Sequence, residues 1–296
     1  MSVDLTITQR GLIKKPLPLN VILGDELAFG RYDPGWRLEN GKMDDDGFIA
    51  FLPTAPARGF NVTWNAVERK RVALRLLTPT SRAEVRAFYA AVQRIARYWN
   101  GALRVEGEEI ALDRWMAGLD DYLAFNEKGL SHIVQKLLDG GDESHSLALF
   151  SARWPLYLGL EEARAFSRDP AAFDAWMAEK QSVAAYYAVP GFFDAPEGGI
   201  VGMYTLAANQ LSFLPKEPAV PFGAVNRATG EPMKCDRFMI ALLSASPGEE
   251  LGRMDYASVL DRLPPDKTAR YDGRSLLIQP LTRDELQGIL DRSLAE

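Results

Sequence analysis

Up to about residue 77 the apolar side chains come in short runs broken by glycine and proline, and beyond Pro79 they recur at intervals of three and four. A chain that opens with strands and turns to helices only later does not alternate the two strictly, which argues for an α+β fold and against a Rossmann or barrel plan. Val3, Leu5 and Ile7 alternate with Asp4, Thr6 and Thr8, the period of a half-buried strand. Leu17 to Leu23, Phe48 to Leu52, Phe60 to Trp64 and Val72 to Leu77 are further strands, with a turn at Asp46-Gly47.

After Pro79 the local signal is strongest. Thr80 or Ser81 can cap a helix, and Glu84 stands three residues after Ser81, the spacing of a reciprocal capping box. Val85, Phe88, Tyr89, Val92, Ile95, Ala96 and Trp99 then form one apolar stripe, with Arg82, Arg86, Gln93, Arg94 and Arg97 turned away. Asn100-Gly101 is the stop, the glycine accepting a left-handed backbone. Leu103 and Val105 return to strand, and Asp113 to Leu138 reads as helix in two pieces divided near Gly129.

In the second half, Leu147 to Leu158 reads as strand, Glu161 to Lys180 as helix interrupted at Asp169-Pro170, and Val183 to Val189 as strand. Ile200 to Leu206 and Leu211 to Leu214 suggest a hairpin, while Phe238 to Leu243 and Ser275 to Ile278 are short buried strands. Thr282 and Glu285 repeat the capping spacing before a final helix with Leu286, Ile289, Leu290 and Leu294 on one face. Leu276 to Leu290 thus shares the grammar of Leu74 to Phe88, through duplication or through convergent use of a capped strand-to-helix connection. The expected architecture is a mixed or mainly antiparallel sheet with helices packed on one face. The polar, glycine-bearing stretch from Asp139 to Ser144 is the expected boundary between halves 1–140 and 144–296, with one continuous domain over 1–296 as the alternative.

The chemical inventory is sparse. With two histidines and one cysteine in 296 residues, the side chains most used as metal ligands, nucleophiles and neutral-pH proton shuttles are nearly missing. Cys235 alone cannot form an intramolecular disulfide, the first residues lack the pattern of a secretory signal, and no apolar run reaches the roughly 18 residues needed to span a bilayer. A cytoplasmic location is expected. A net charge of −6 disfavours nucleic acid as partner, and the basic clusters Lys14-Lys15 and Arg69-Lys70-Arg71 are each too short to mark nucleic-acid or membrane-surface binding, so both are expected as solvated strand flanks.

No phosphate-binding glycine loop is present, since Gly198-Gly199 and Gly202 lead into a strand rather than a helix. Asp44-Asp45-Asp46-Gly47 imitates part of a calcium loop, but Lys42 and Pro53 stand where ligands are required. Gly129-Leu130-Ser131-His132-Ile133 lacks the second glycine of a nucleophile elbow. Asp120-Asp121, Glu161-Glu162 and Glu249-Glu250 are sequence neighbours that do not face one another on a helix, and are expected as solvated faces. No cofactor and no metal site is expected. The unusual feature is aromatic: Tyr186, Tyr187, Phe192 and Phe193, around Pro190-Gly191, are the expected binding residues, set against a plain strand-centred core.

The block Val72-Ala73-Leu74-Arg75-Leu76-Leu77-Thr78-Pro79-Thr80-Ser81-Arg82, running into its amphipathic helix and Gly101, resembles a bacterial family of whole proteins of about this length, defined only as a domain of unknown function. That resemblance covers most of the chain and brings no catalytic residues with it. The expected role is a non-enzymatic module that binds another protein, with no nucleic acid and no membrane as partner. The alternative is a hydrolase or transferase whose site is assembled from dispersed carboxylates with His132 or His145.

Overall fold

The computed structural model describes residues 2–33, 35–64, 70–141, 145–226, 229–245 and 248–291. They fall into two compact units, Met1–Val183 and Ala184–Glu296. The stretch expected to separate two halves near Gly140 lies inside the first unit, at the end of a long helix, and its Asp142-Glu143-Ser144 lies outside the described residues.

In the first unit the chain runs β1 (Ser2–Thr8), α1 (Leu19–Leu23), β2 (Ala28–Tyr32), β3 (Leu38–Asn40), β4 (Gly47–Phe51), β5 (Phe60–Thr63), β6 (Arg71–Leu77), α2 (Arg82–Trp99), β7 (Ala102–Val105), β8 (Glu108–Ile110), α3 (Leu112–Ala117), α4 (Leu119–Gly140), β9 (Leu147–Leu149), β10 (Leu156–Leu158), α5 (Leu160–Arg168) and α6 (Ala172–Ser182). Among the described residues, the first eight strands form one antiparallel sheet in the order β3-β2-β4-β5-β6-β1-β7-β8. The register Val3↔Leu76, Leu5↔Leu74, Ile7↔Val72 gathers the apolar alternates of β1 and β6 on one face. The stripe of α2 lies on that face: Val85, Phe88, Val92, Ile95 and Trp99 share a core with Leu5, Ile7, Phe60, Leu74 and Leu76. Each such side chain, removed from water, contributes about 1.5–3 kcal/mol. Because β1 sits between β6 and β7, the strand–helix–strand segment crosses over a strand that was already in place.

The second unit contains β11 (Tyr186–Tyr187), β12 (Gly191–Asp194), β13 (Ile200–Ala207), β14 (Ser212–Pro215), β15 (Arg237–Leu243), β16 (Glu250–Asp255), α7 (Tyr256–Leu260), β17 (Thr268–Arg270), β18 (Ser275–Ile278) and α8 (Arg283–Asp291). Its two mixed sheets have the orders β11-β14-β18-β17 and β12-β13-β15-β16. Tyr204, Leu206, Leu214, Ile240, Leu242, Ile278, Leu286 and Ile289 form the shared core. The fold class is α+β, as the order of patterns in the chain implies.

Several local expectations are corrected. Leu17 to Leu23 is not a strand: the Pro18 carbonyl accepts the Val21 amide and starts the short helix α1, which buries Ile22 and Leu23. Proline's fixed φ suits a helix start. The helical stretch after Asp113 breaks at Gly118, whose amide turns back to the Trp115 carbonyl, and runs unbroken through Gly129. At the end of α2 it is Asn100, not Gly101, that takes the left-handed conformation, at φ 45° and ψ 46°. The strands at Ile200 and Leu211 do not pair as a hairpin, because Asn209 turns at φ 59° and sends β14 into the other sheet. In α8 the second capping box closes fully, with Thr282 N–H donating to Glu285 at 2.7 Å and Glu285 N–H to Thr282 Oγ1 at 3.2 Å; Leu294 lies outside the described residues.

Candidate functional site

The aromatic residues singled out in the sequence belong to two strands. Tyr186 and Tyr187 form β11, parallel to β14, and are half-buried; Tyr186 packs against the core of the second unit, and the Tyr187 ring lies 6.4 Å from that of Phe213. Phe192 and Phe193 lie next to each other in β12 and so point to opposite faces. Phe192 stands across from Gly202, which in turn is level with Phe238 on β15, and the Phe238 ring fills the space above that glycine. Phe193 stands across from Val201 on the other face and is 59% exposed. β12 has β13 on one side and is the end strand of its sheet, so its outer backbone edge is of the kind that accepts a further strand.

The densest polar cluster is buried in the first unit, and the sequence shows only half of it. Ser81 caps α2 as its spacing implies, its hydroxyl accepting the Glu84 N–H at 3.2 Å. The Glu84 carboxylate is spent elsewhere. It accepts the amides of Arg58 at 2.9 Å and Gly59 at 2.7 Å, and the Thr80 hydroxyl, with no exposed surface of its own. Arg58 directs Nε to the Phe150 carbonyl at 2.9 Å and Nη1 to the Pro79 carbonyl at 3.2 Å. Tyr32 donates its hydroxyl to the Ser151 carbonyl at 2.8 Å. From α4, Asn126 pairs in both directions with the Thr80 backbone at 2.9 and 2.8 Å, and the Tyr122 and Thr78 hydroxyls lie 3.0 Å apart.

Burial sets the electrostatics here. It pushes the Glu84 carboxyl above its ordinary range, against the pull of the Thr80, Gly59 and Arg58 hydrogen bonds and of the Arg58 charge. It draws the Arg58 guanidinium down to about 10, with Tyr32 and Glu84 opposing that fall, and raises the Tyr32 phenol. The hydrogen bonds of Glu84 and Asn126 tie three segments together, namely the loop before β5, the connection from β6 to α2, and α4.

The remaining motifs are accounted for locally. His132 is exposed on α4, where the neighbouring Ser131 hydroxyl donates to the Glu127 carbonyl at 3.0 Å as helix-surface serines do. His145 is exposed just before β9, and Ser144 lies outside the described residues. Asp120 and Asp121 are exposed, Glu250 clasps Arg253 at 2.5 and 2.9 Å, and Asp44 meets Arg31 at 3.0 Å beside the turn into β4. Glu162 departs from the expectation of a solvated face: it is buried, its carboxylate accepting the Gly159 amide at 3.1 Å to close the start of α5. Among the described residues, no group of three or more His, Cys, Asp or Glu side chains converges as metal ligands would.

The family model described as Domain of unknown function (DUF4299) matches residues 2–289, and the chain belongs to that family. No curated protein and no solved structure matches it.

Proposed function

We propose that this member of the domain-of-unknown-function family is a cytoplasmic bacterial protein whose work is to bind another protein, not to catalyse a reaction. The observation that carries this reading is Phe193, a large apolar ring 59% exposed on an end strand with an open backbone edge. An extended segment of a partner would add to β12 through main-chain hydrogen bonds and bury the ring, with Phe192 holding the strand from the core side. Two facts support the non-catalytic side. The buried ionisable groups Glu84 and Arg58 bond to the chain's own backbone and the Thr80 hydroxyl, and His132 stands on an exposed helix face.

The test is affinity capture of the tagged full chain from host lysate, comparing wild type with Phe193→Ser by quantitative mass spectrometry. Phe193 is the residue to change because Phe192 faces the core and its truncation would disturb folding. A stoichiometric protein recovered by wild type and depleted at least about tenfold by the variant is the expected result, the loss matching an interface hot spot. The same recovery from both proteins would refute the assignment to β12.

A further inference from the structure

We propose that one end of the first unit docks on the surface of an anionic lipid bilayer, with Leu12 and Ile13 entering the hydrocarbon boundary. These two side chains are 102% and 92% exposed, the most exposed large apolar residues among the described ones. Their loop is held at its base rather than trailing: Gln9 Nε2 donates to the Lys15 carbonyl and the Lys15 amide to Gln9 Oε1, both at 2.9 Å. Lys14 Nζ reaches the Gln9 carbonyl at 2.6 Å, and Trp99 Nε1 of α2 reaches the Lys15 carbonyl at 3.2 Å. A built loop that offers two adjacent aliphatic side chains to water presents an apolar tip that an interface with lipid would bury.

The charges around this tip supply the second observation. The Gln9 amide donates to the Lys70 carbonyl at 2.9 Å, and Thr8 lies opposite Arg71 in the sheet. Lys14-Lys15 and Lys70-Arg71, each too short to signal anything alone, therefore meet at one end of the sheet; Arg69 lies outside the described residues. At the foot of the same loop Arg10 and Arg97 line an open cleft of about 530 Å³, floored by Leu103 and Ile110. The cleft's acid is Glu109, paired to Arg10 at 2.8 Å. A chain of net charge −6 thus brings Lys70, Arg71 and Arg97 to the end of the sheet that carries the aliphatic tip, where Lys14, Lys15 and Arg10 are held at the Gln9 carbonyl, the Tyr98 ring and Glu109. Cations over anionic headgroups with aliphatic side chains beneath them match a bilayer surface. Nucleic acid fits less well, because Leu12 and Ile13 offer no aromatic face on which a base could stack. No described helix is long and apolar enough to cross a membrane, and docking on the surface needs none.

The experiment is cosedimentation of the full chain with vesicles of equimolar phosphatidylcholine and phosphatidylserine, beside vesicles of phosphatidylcholine alone. Wild type is expected to sediment with the anionic vesicles and not the neutral ones, and to be released as salt approaches about 1 M, where screening acts within about 3 Å. Leu12→Ser with Ile13→Ser is expected to weaken binding at least about tenfold. Lys14→Glu with Lys70→Glu is expected to weaken it by more, at about fivefold per cation lost. The tryptophan-monitored unfolding of the Leu12 and Ile13 variant should match wild type, and the charge variant supplies an independent readout should it not. Failure to bind anionic vesicles at low salt, equal binding to both vesicle types, or undiminished binding by both variants would overturn the proposal. So would retention on single-stranded DNA without retention on vesicles, which would make this end a reader of polyphosphate instead.

Discussion

Replacing Glu84 by alanine should be the most costly single change in the polar interior of the first unit. The substitution leaves the amides of Arg58 and Gly59 buried without an acceptor, at about 1–3 kcal/mol each. It also removes a carboxylate whose charge, with Tyr32, helps hold the proton on the buried Arg58 guanidinium. These contributions overlap, and the desolvation of the carboxylate is recovered, so a net loss of about 4 kcal/mol is expected. The readout reports from this unit, because all six tryptophans (Trp36, Trp64, Trp99, Trp115, Trp154 and Trp176) lie in Met1–Val183, and tryptophan fluorescence is followed during urea titration. Glu84→Gln separates charge from hydrogen bonding. Burial holds the folded-state carboxyl above its unfolded value of 4.5, so the folded state keeps its proton longer, and stability falls as pH rises from about 4.5. The glutamine variant should lack that component, its stability relative to wild type improving as pH is raised from 4.5 toward neutrality. A loss below about 1 kcal/mol for Glu84→Ala would show that the loop before β5 does not depend on this carboxylate, and the reasoning would fail.

Asn126→Ala should cost about 1–3 kcal/mol in the same titration, since both Thr80 backbone groups lose their buried partner. Gly47→Ala should cost about 1–3 kcal/mol or more, because the added Cβ would lie 2.1 Å from the Val62 carbonyl oxygen on the neighbouring strand, and β4 is buried along its whole length. In the second unit, Thr282→Ala should destabilise by about 1 kcal/mol, measured by hydrogen exchange of the α8 amides, as one arm of a closed capping box is lost. Phe193→Ser should leave hydrogen-exchange protection of β13 and β15 within about 0.5 kcal/mol of wild type, which separates its effect on binding from any effect on folding.

What the sequence determined by itself is what depends on neighbours within a few residues. The alternation of Val3, Leu5 and Ile7, the stripe from Val85 to Trp99, the break at Asp169-Pro170 and the box from Thr282 to Glu285 all express local geometry, and each is found as a matching element. The α+β class follows from their order. Where two local readings compete, only packing decides: Leu17 to Leu23 has the composition of a strand, yet Ile22 and Leu23 are buried by a turn of helix begun at Pro18. The candidate surfaces were legible to different degrees. The aromatic segment stood out, but that Phe193 faces out while Phe192 faces the core follows from strand register, which a single strand does not encode. Glu84 could be read as a helix cap, but not as the anchor of a loop 25 residues earlier. Nor could two short basic clusters be known to share one end of a sheet, because pairing between β1 and β6 brings Gln9 to Lys70 across a separation that no local periodicity spans. Short-range sterics and burial period write the elements into the chain; long-range pairing, chosen by the whole core at once, decides which of their side chains meet.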